Sequence, residues 1–269
     1  GEQEIQTITT KTYIGANEVQ LITTSATDRN EVQVIRTFAP TVLEVQTLKT
    51  SAFSGNSLSG TYSLAFNTTA TGGTLQYSGE ISYNAEAQGG RYSVKSILEA
   101  MSNIGPGGIH NVTRSSPDDE GGYTWSVTFA SKMGNVTALE LYESALKPVD
   151  GAPAVEVQTV KDGNEIYGGY RLEFDGYTTE VIPYDASDSE VEAALEALST
   201  VTTVDVTRSG PDNQRGYKWS VTFTHDDNAG NVNPLVPVYD SMAKGSGRLL
   251  YGTSGDPTVS VTSTDGNEI

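Results

Sequence analysis

The chain has 269 residues, a formal net charge of −18 and only 16 lysines and arginines, so it lacks the clustered basic surface that nucleic acid or an anionic membrane face requires. It has no cysteine, which removes thiolate metal sites and cysteine nucleophiles, and no apolar run as long as a membrane span. An apolar content of 36% leaves room for about two lean domains.

The first expected elements are four short units: Glu4-Ile5-Gln6-Thr7-Ile8-Thr9-Thr10, Glu18-Val19-Gln20-Leu21-Ile22-Thr23-Thr24, Glu31-Val32-Gln33-Val34-Ile35-Arg36-Thr37 and Glu44-Val45-Gln46-Thr47-Leu48-Lys49-Thr50. A fifth copy, Glu156-Val157-Gln158-Thr159-Val160-Lys161, comes much later. The apolar pair three apart in each unit would also fit a helix, but Thr and Val lose rotamer freedom there, and the composition predicts strands. Each unit is too short and too thinly apolar to fold alone. Residues 1–55 are therefore expected to be an array of assembly strands, with Val19, Ile22, Val32, Ile35, Val45 and Leu48 seated against other subunits.

Two copies of a larger module follow, expected at 56–150 and 151–269. Tyr62-Ser63-Leu64-Ala65-Phe66 returns as Tyr170-Arg171-Leu172-Glu173-Phe174, and Val112-Thr113-Arg114-Ser115 as Val206-Thr207-Arg208-Ser209. Tyr123-Thr124-Trp125-Ser126-Val127-Thr128-Phe129 returns as Tyr217-Lys218-Trp219-Ser220-Val221-Thr222-Phe223, and Gly134-Asn135-Val136 as Gly230-Asn231-Val232. In the second copy, strands are expected over 170–175, 178–184, 204–208 and 217–224. A helix begins at the Ser187/Glu190 capping box, with Val191, Ala194, Leu195 and Leu198 on one stripe. The first copy repeats that stripe as Val94, Ile97, Leu98 and Met101, but its matching cap position is Gly90, which predicts a looser start. The fold class is β-rich α+β: two small, mostly antiparallel modules with one helix each, preceded by the strand array. Short strands are also expected near 235–239, 248–251 and 257–262, and the last could complete the second module or open another.

The words of residues 161–166 nearly recur at 264–269, and the chain has no starting Met, so cleavage at a repeat boundary or part of a longer protein is expected.

Candidate chemistry is sparse. His110 and His225 stand at different places in the module, and no nucleotide-binding or nucleophile motif occurs, so no catalytic residue is assigned. Asp226, Asp227, Asn228 and Asn231 group oxygen donors around a glycine, a candidate Ca²⁺ site that turn chemistry explains equally well; Asp118-Asp119-Glu120 is a second acidic cluster. No other cofactor is indicated. Three N-x-[ST] sequons, at Asn67, Asn111 and Asn135, all lie in the first module and are the candidate glycan acceptors. Tyr123, Trp125 and Phe129, with Tyr217, Trp219 and Phe223, share a strand face; they read as core, with an aromatic sugar platform as the sharper alternative.

The second module resembles a repeat of large extracellular proteins of stramenopile algae and oomycetes, including tubular mastigoneme (flagellar-hair) proteins and sexually induced surface proteins of diatoms. The resemblance is carried by residues 169–174, Ile182-Pro183-Tyr184-Asp185-Ala186, 191–198, Val206-Thr207-Arg208-Ser209-Gly210-Pro211 and 216–223. The Glu-Val-Gln units also look like short repeats of those proteins. The first module departs from the pattern over 72–80 and at Ser82-Tyr83-Asn84-Ala85. The resemblance implies an extracellular structural role.

The expected function is a structural subunit of an extracellular filament or cell-surface appendage, polymerising with copies of itself by strand addition. An adhesion or glycan-binding module is the alternative, and an enzyme would require a pocket of convergent, perturbed groups. No membrane span and no nucleic-acid partner are expected.

Overall fold

Branched Cβ atoms make the Thr-, Val- and Ile-rich units extended. The computed structural model describes residues 7–11, 19–23, 29–147, 153–228, 230–241 and 247–264, with side chains at 29–147, 153–228, 230–239 and 248–264. Within it each array unit contains a strand: β1 (Thr7–Lys11), β2 (Val19–Thr23), β3 (Val32–Phe38) and β4 (Val45–Ser51). β1 and β2 pair antiparallel, Thr7 opposite Thr23 and Lys11 opposite Val19.

The first module continues with β5 (Thr61–Asn67), β6 (Leu75–Tyr77), β7 (Ile81–Ser82), α1 (Val94–Glu99), β8 (Ile109–Arg114), β9 (Thr124–Phe129) and β10 (Glu140–Ser144), then β11 (Ala154–Lys161). The second comprises β12 (Ile166–Phe174), β13 (Tyr177–Thr178), β14 (Ile182–Pro183), α2 (Asp188–Glu196), β15 (Val204–Ser209) and β16 (Lys218–Phe223). It ends with β17 (Val236–Val238), β18 (Asp240–Ser241), β19 (Gly247–Arg248), β20 (Leu250–Gly252) and β21 (Thr258–Thr264).

Each module faces one sheet with another. In the first, β11-β4-β9-β8 is one sheet and β10-β5-β6, with β7 on β5, is the other. In the second, β21-β3-β16-β15 faces strands gathered around β12. Equivalent aromatic pairs bridge the sheets: Tyr62 with Trp125 and Phe66 with Phe129, then Tyr170 with Trp219 and Phe174 with Phe223. These rings, with the helix stripes, form one core per module.

The helix caps differ from each other as the sequence suggests, though not at the expected residue. Ser187 and Glu190 form a reciprocal capping box on α2. α1 is capped by Ser93, not by a residue at the Gly90 position; the Ser93 hydroxyl accepts from the Ser96 amide and donates to Gly90 O. A buried serine one turn further along supplies the acceptor that glycine lacks, so the helix starts later.

The array requires a larger correction. β3 and β4 are interior strands of this chain's own sheets, β3 between β16 and β21 and β4 between β9 and β11. Ile35 and Leu48, expected against other subunits, are fully buried in the two cores, while Val32 and Val45 lie half-buried on the opposite face. The backbone of these strands is satisfied by ladders on both sides, so they require no other molecule. The side chains of Val19 and Ile22 lie outside the described residues. The expected boundaries shift as well. β4 and β11 belong to the first module, β3 belongs to the second, and β21 completes the second module's sheet.

The array therefore runs against the modules. The later unit, β4, fills the first module and the earlier unit, β3, fills the second. The chain crosses the junction twice, through residues 39–44 and through residues 162–165.

Candidate functional site: the strand slots

The inward face of each seated unit reads Glu, Gln, Ile or Leu, Thr, and each of the four side chains has one task. In the first module Glu44 accepts from the Val136 amide at 2.7 Å and from the Gln46 side chain at 2.5 Å. Gln46 also donates to Thr137 O and accepts from the Leu139 amide, at 3.0 and 2.8 Å. Leu48 enters the core, and the Thr50 hydroxyl accepts from the Tyr123 amide at 3.1 Å.

The second module repeats this. Glu31 accepts from Val232 N at 2.8 Å and from Gln33 at 2.6 Å, and Gln33 donates to Asn233 O and accepts from Leu235 N. Ile35 fills the core and Thr37 accepts from Tyr217 N at 2.9 Å. The Glu-x-Gln words of the array and the Gly-Asn-Val words of the module are thus two halves of one clamp. Both carboxylates are buried, have no salt-bridge partner among the described residues, and are held by amide donors. Burial pushes the Glu44 carboxyl above its usual range, helped by the nearby Asp162 charge and opposed by the Val136, Gln46 and Gly163 donors.

The other shared words build the wall of the slot. The Trp125 and Trp219 indoles donate to Ala85 O and Ala186 O. Arg114 donates to the Asn84 and Ala85 carbonyls and lies over Tyr123; Arg208 donates to Asp185 O and Ala186 O and lies over Tyr217. Chemically the arrangement binds an extended strand, with ladders on two sides for affinity and four inward sockets for register.

The fifth Glu-Val-Gln copy has no such place. β11 is an edge strand, and its Glu156 and Gln158 are exposed. Where the four array units end on Thr, this copy carries Asp162.

The junction is shaped by residues 162–165. A Cβ on Gly163 would overlap Gly134 O and Asn135 Cα. Asn164, fully buried, donates to Pro40 O at 2.8 Å and accepts from Ser254 N at 3.2 Å. Glu165 pairs with Arg215 at 2.7 Å and accepts from Asn135 Nδ2 at 3.3 Å.

The sequence-derived site residues scatter. Asp226 and Asp227 are exposed on a short 3-10 turn, but Asn228 points inward, donating to Thr200 O and accepting from Thr202 N. Its amide is committed to the fold and does not join Asp226, Asp227 and the exposed Asn231 as a ligand set. Among the described residues no group of three or more His, Asp or Glu side chains is placed to hold a metal. Asp118 accepts from the Gly122 amide, as Asp212 does from Gly216, so that acidic cluster is turn chemistry. Asn67 is exposed in a local turn with Thr69, and Asn111 is half-buried on β8. Asn135 is wedged in the junction against Glu165, where a glycan would displace the contact. His110 is exposed; His225 accepts from the Asp227 amide. Trp125, Trp219, Phe129 and Phe223 are core residues with no face available to sugar.

No described helix is long and apolar enough to cross a membrane. No protein-family model matches the chain, and comparison with curated proteins finds no match.

Proposed function

We propose that the chain is a structural subunit of an extracellular filament or surface appendage, a row of β-modules laced together by an N-terminal strand array, rather than an enzyme. The junction carries this reading. Two covalent connections cross it in opposite directions, and Asn164 bonds to one of them, at Pro40 O, from the other. Extension of the row loads both connections; the first runs between two interior strands, and the second runs from edge strand β11 into the second core at Ile166. The resemblance of the repeat words to mastigoneme-type proteins points the same way, and strand donation supplies a route of assembly. Single-molecule pulling on the whole chain tests the load-bearing role: the junction holds until a module unfolds. A junction that opens at low force, with both modules intact, contradicts it. Antibody labelling of source cells tests location, with signal expected on surface appendages.

The adhesion reading has one observation of its own. Tyr77 meets Tyr142 at a tilt, Tyr167 stacks on Tyr251, and all four rings are exposed. A glycan array in which Tyr142→Ala or Tyr251→Ala abolishes a hit would favour it over the filament.

A further inference from the structure

Two slots are described and each is filled by one array unit, yet the array has four units. In sequence the first two repeat the residues that form the inward face of the seated pair: Glu4, Gln6, Ile8, Thr10 and Glu18, Gln20, Ile22, Thr24, against Glu31, Gln33, Ile35, Thr37 and Glu44, Gln46, Leu48, Thr50. The exposed fifth copy breaks this signature at its last position, so the full pattern separates strands that seat in a slot from one that does not. The four units begin at residues 4, 18, 31 and 44, a nearly constant step. The step whose connecting residues are described throughout, from β3 to β4, spans one module junction. Among the described residues β1 and β2 pair only with each other.

Resting on the filament reading above, we propose that the first two units are donor strands for a third and a fourth module of this same fold, stacked beyond the Gly230-Asn231 loop of the second. The order is the reverse of the array: the unit at Glu18 seats in the third module and the unit at Glu4 in the fourth. A second copy of the chain in its described state is not the occupant, because both of its slots hold their own strands. The recipient is a module with a Gly-Asn-Val loop and an empty Glu-x-Gln slot. Its junction words already occur, since Gly163-Asn164-Glu165-Ile166 is repeated as Gly266-Asn267-Glu268-Ile269.

The test empties a slot in the whole chain. Ile8→Asp, Ile22→Asp and Ile35→Asp together place a carboxylate where each of these units would enter an apolar core, leaving the second module without a donor. Synthetic peptides of residues 1–13, 14–27 and 28–41 are then added, the last being the native occupant. All three are expected to restore the Trp219 fluorescence transition, raising its midpoint by about 10 °C at a hundredfold excess over Kd. Versions with both Glu and Gln changed to Ala are expected to have no effect. Rescue by 28–41 alone overturns the proposal. Should the triple variant refuse all peptides, the native one included, two exchanges in the otherwise intact chain decide. Val34→Leu with Arg36→Thr converts the seated unit into the second, and Val32→Ile, Val34→Thr and Arg36→Thr convert it into the first. Second-module melting within a few degrees of the original supports the proposal, and loss of the transition overturns it. The pulling experiment reads the junction independently, so a rigid row with non-exchangeable units would sink this inference alone.

Discussion

Gln46 accepts a hydrogen bond from the Leu139 amide at 2.8 Å, across 93 residues of sequence, and Gln33 does the same for Leu235 across 202. These two glutamines hold strands of the array to loops of two different modules. Removing the side chain leaves the buried Leu139 N and one buried Glu44 oxygen without their partner, together with the part-buried Thr137 O. Gln46→Ala is therefore expected to destabilise the first module by about 2–4 kcal/mol. Gln33→Ala should do the same to the second. Denaturant unfolding followed separately at Trp125 and Trp219 checks both, and each variant should move only its own module.

Glu44 adds a pH dependence with a definite sign. Its folded-state pKa is raised, chiefly by burial. The stability it contributes is thus fully present below the unfolded carboxylate pKa and is lost as pH rises through the folded value. Glu44→Gln removes this dependence, at the cost of turning an amide donor toward the Val136 N–H. Melting of the first module between pH 3.5 and 7, compared in the two proteins, should show a difference that shrinks toward neutrality.

Tyr62 and Tyr170 occupy equivalent core positions, and the hydroxyl of each is buried with no hydrogen-bond partner among the described residues. Burial also pushes both hydroxyls well above the ordinary tyrosine range, so they stay protonated. Replacing a buried, unsatisfied hydroxyl by hydrogen is expected to stabilise each module by about 1 kcal/mol. Thermal melting of Tyr62→Phe and Tyr170→Phe measures this, and a loss of stability would reveal a partner.

Gly163 tests the junction without touching either core. A methyl group there meets backbone, not a movable side chain. Gly163→Ala should lower the first module's transition, because it disturbs the Gly134–Val136 loop and the Gly163 donor to Glu44, leave the second module within about 1 kcal/mol, and increase the radius of gyration in small-angle scattering.

Much of this architecture could be read from the chain. The repeats placed the two modules, the alternation of Tyr170 to Phe174 marked a strand, and the Ser187/Glu190 pair located a helix start, because these signals are local. The destination of β3 and β4 was not legible. A strand does not encode which sheet receives it, and these two enter modules in the reverse of chain order. Their polarity also misleads: the inward face carries Glu31, Gln33 and Thr37, while Val32 and Val34 lie outward of it. Burial of those polar groups makes sense only beside Val232 N, Leu235 N and Tyr217 N, two hundred residues away in two of the three cases. The one available signal was that the Glu-x-Gln units and the Gly-Asn-Val loops both recur.

The most direct measurement is amide hydrogen exchange on the monomeric whole chain, resolved to single strands. Val32–Phe38 and Val45–Ser51 are expected to be protected as strongly as their neighbours Lys218–Phe223 and Thr124–Phe129. Rapid exchange of the two array strands while those neighbours remain protected would contradict their place as interior strands.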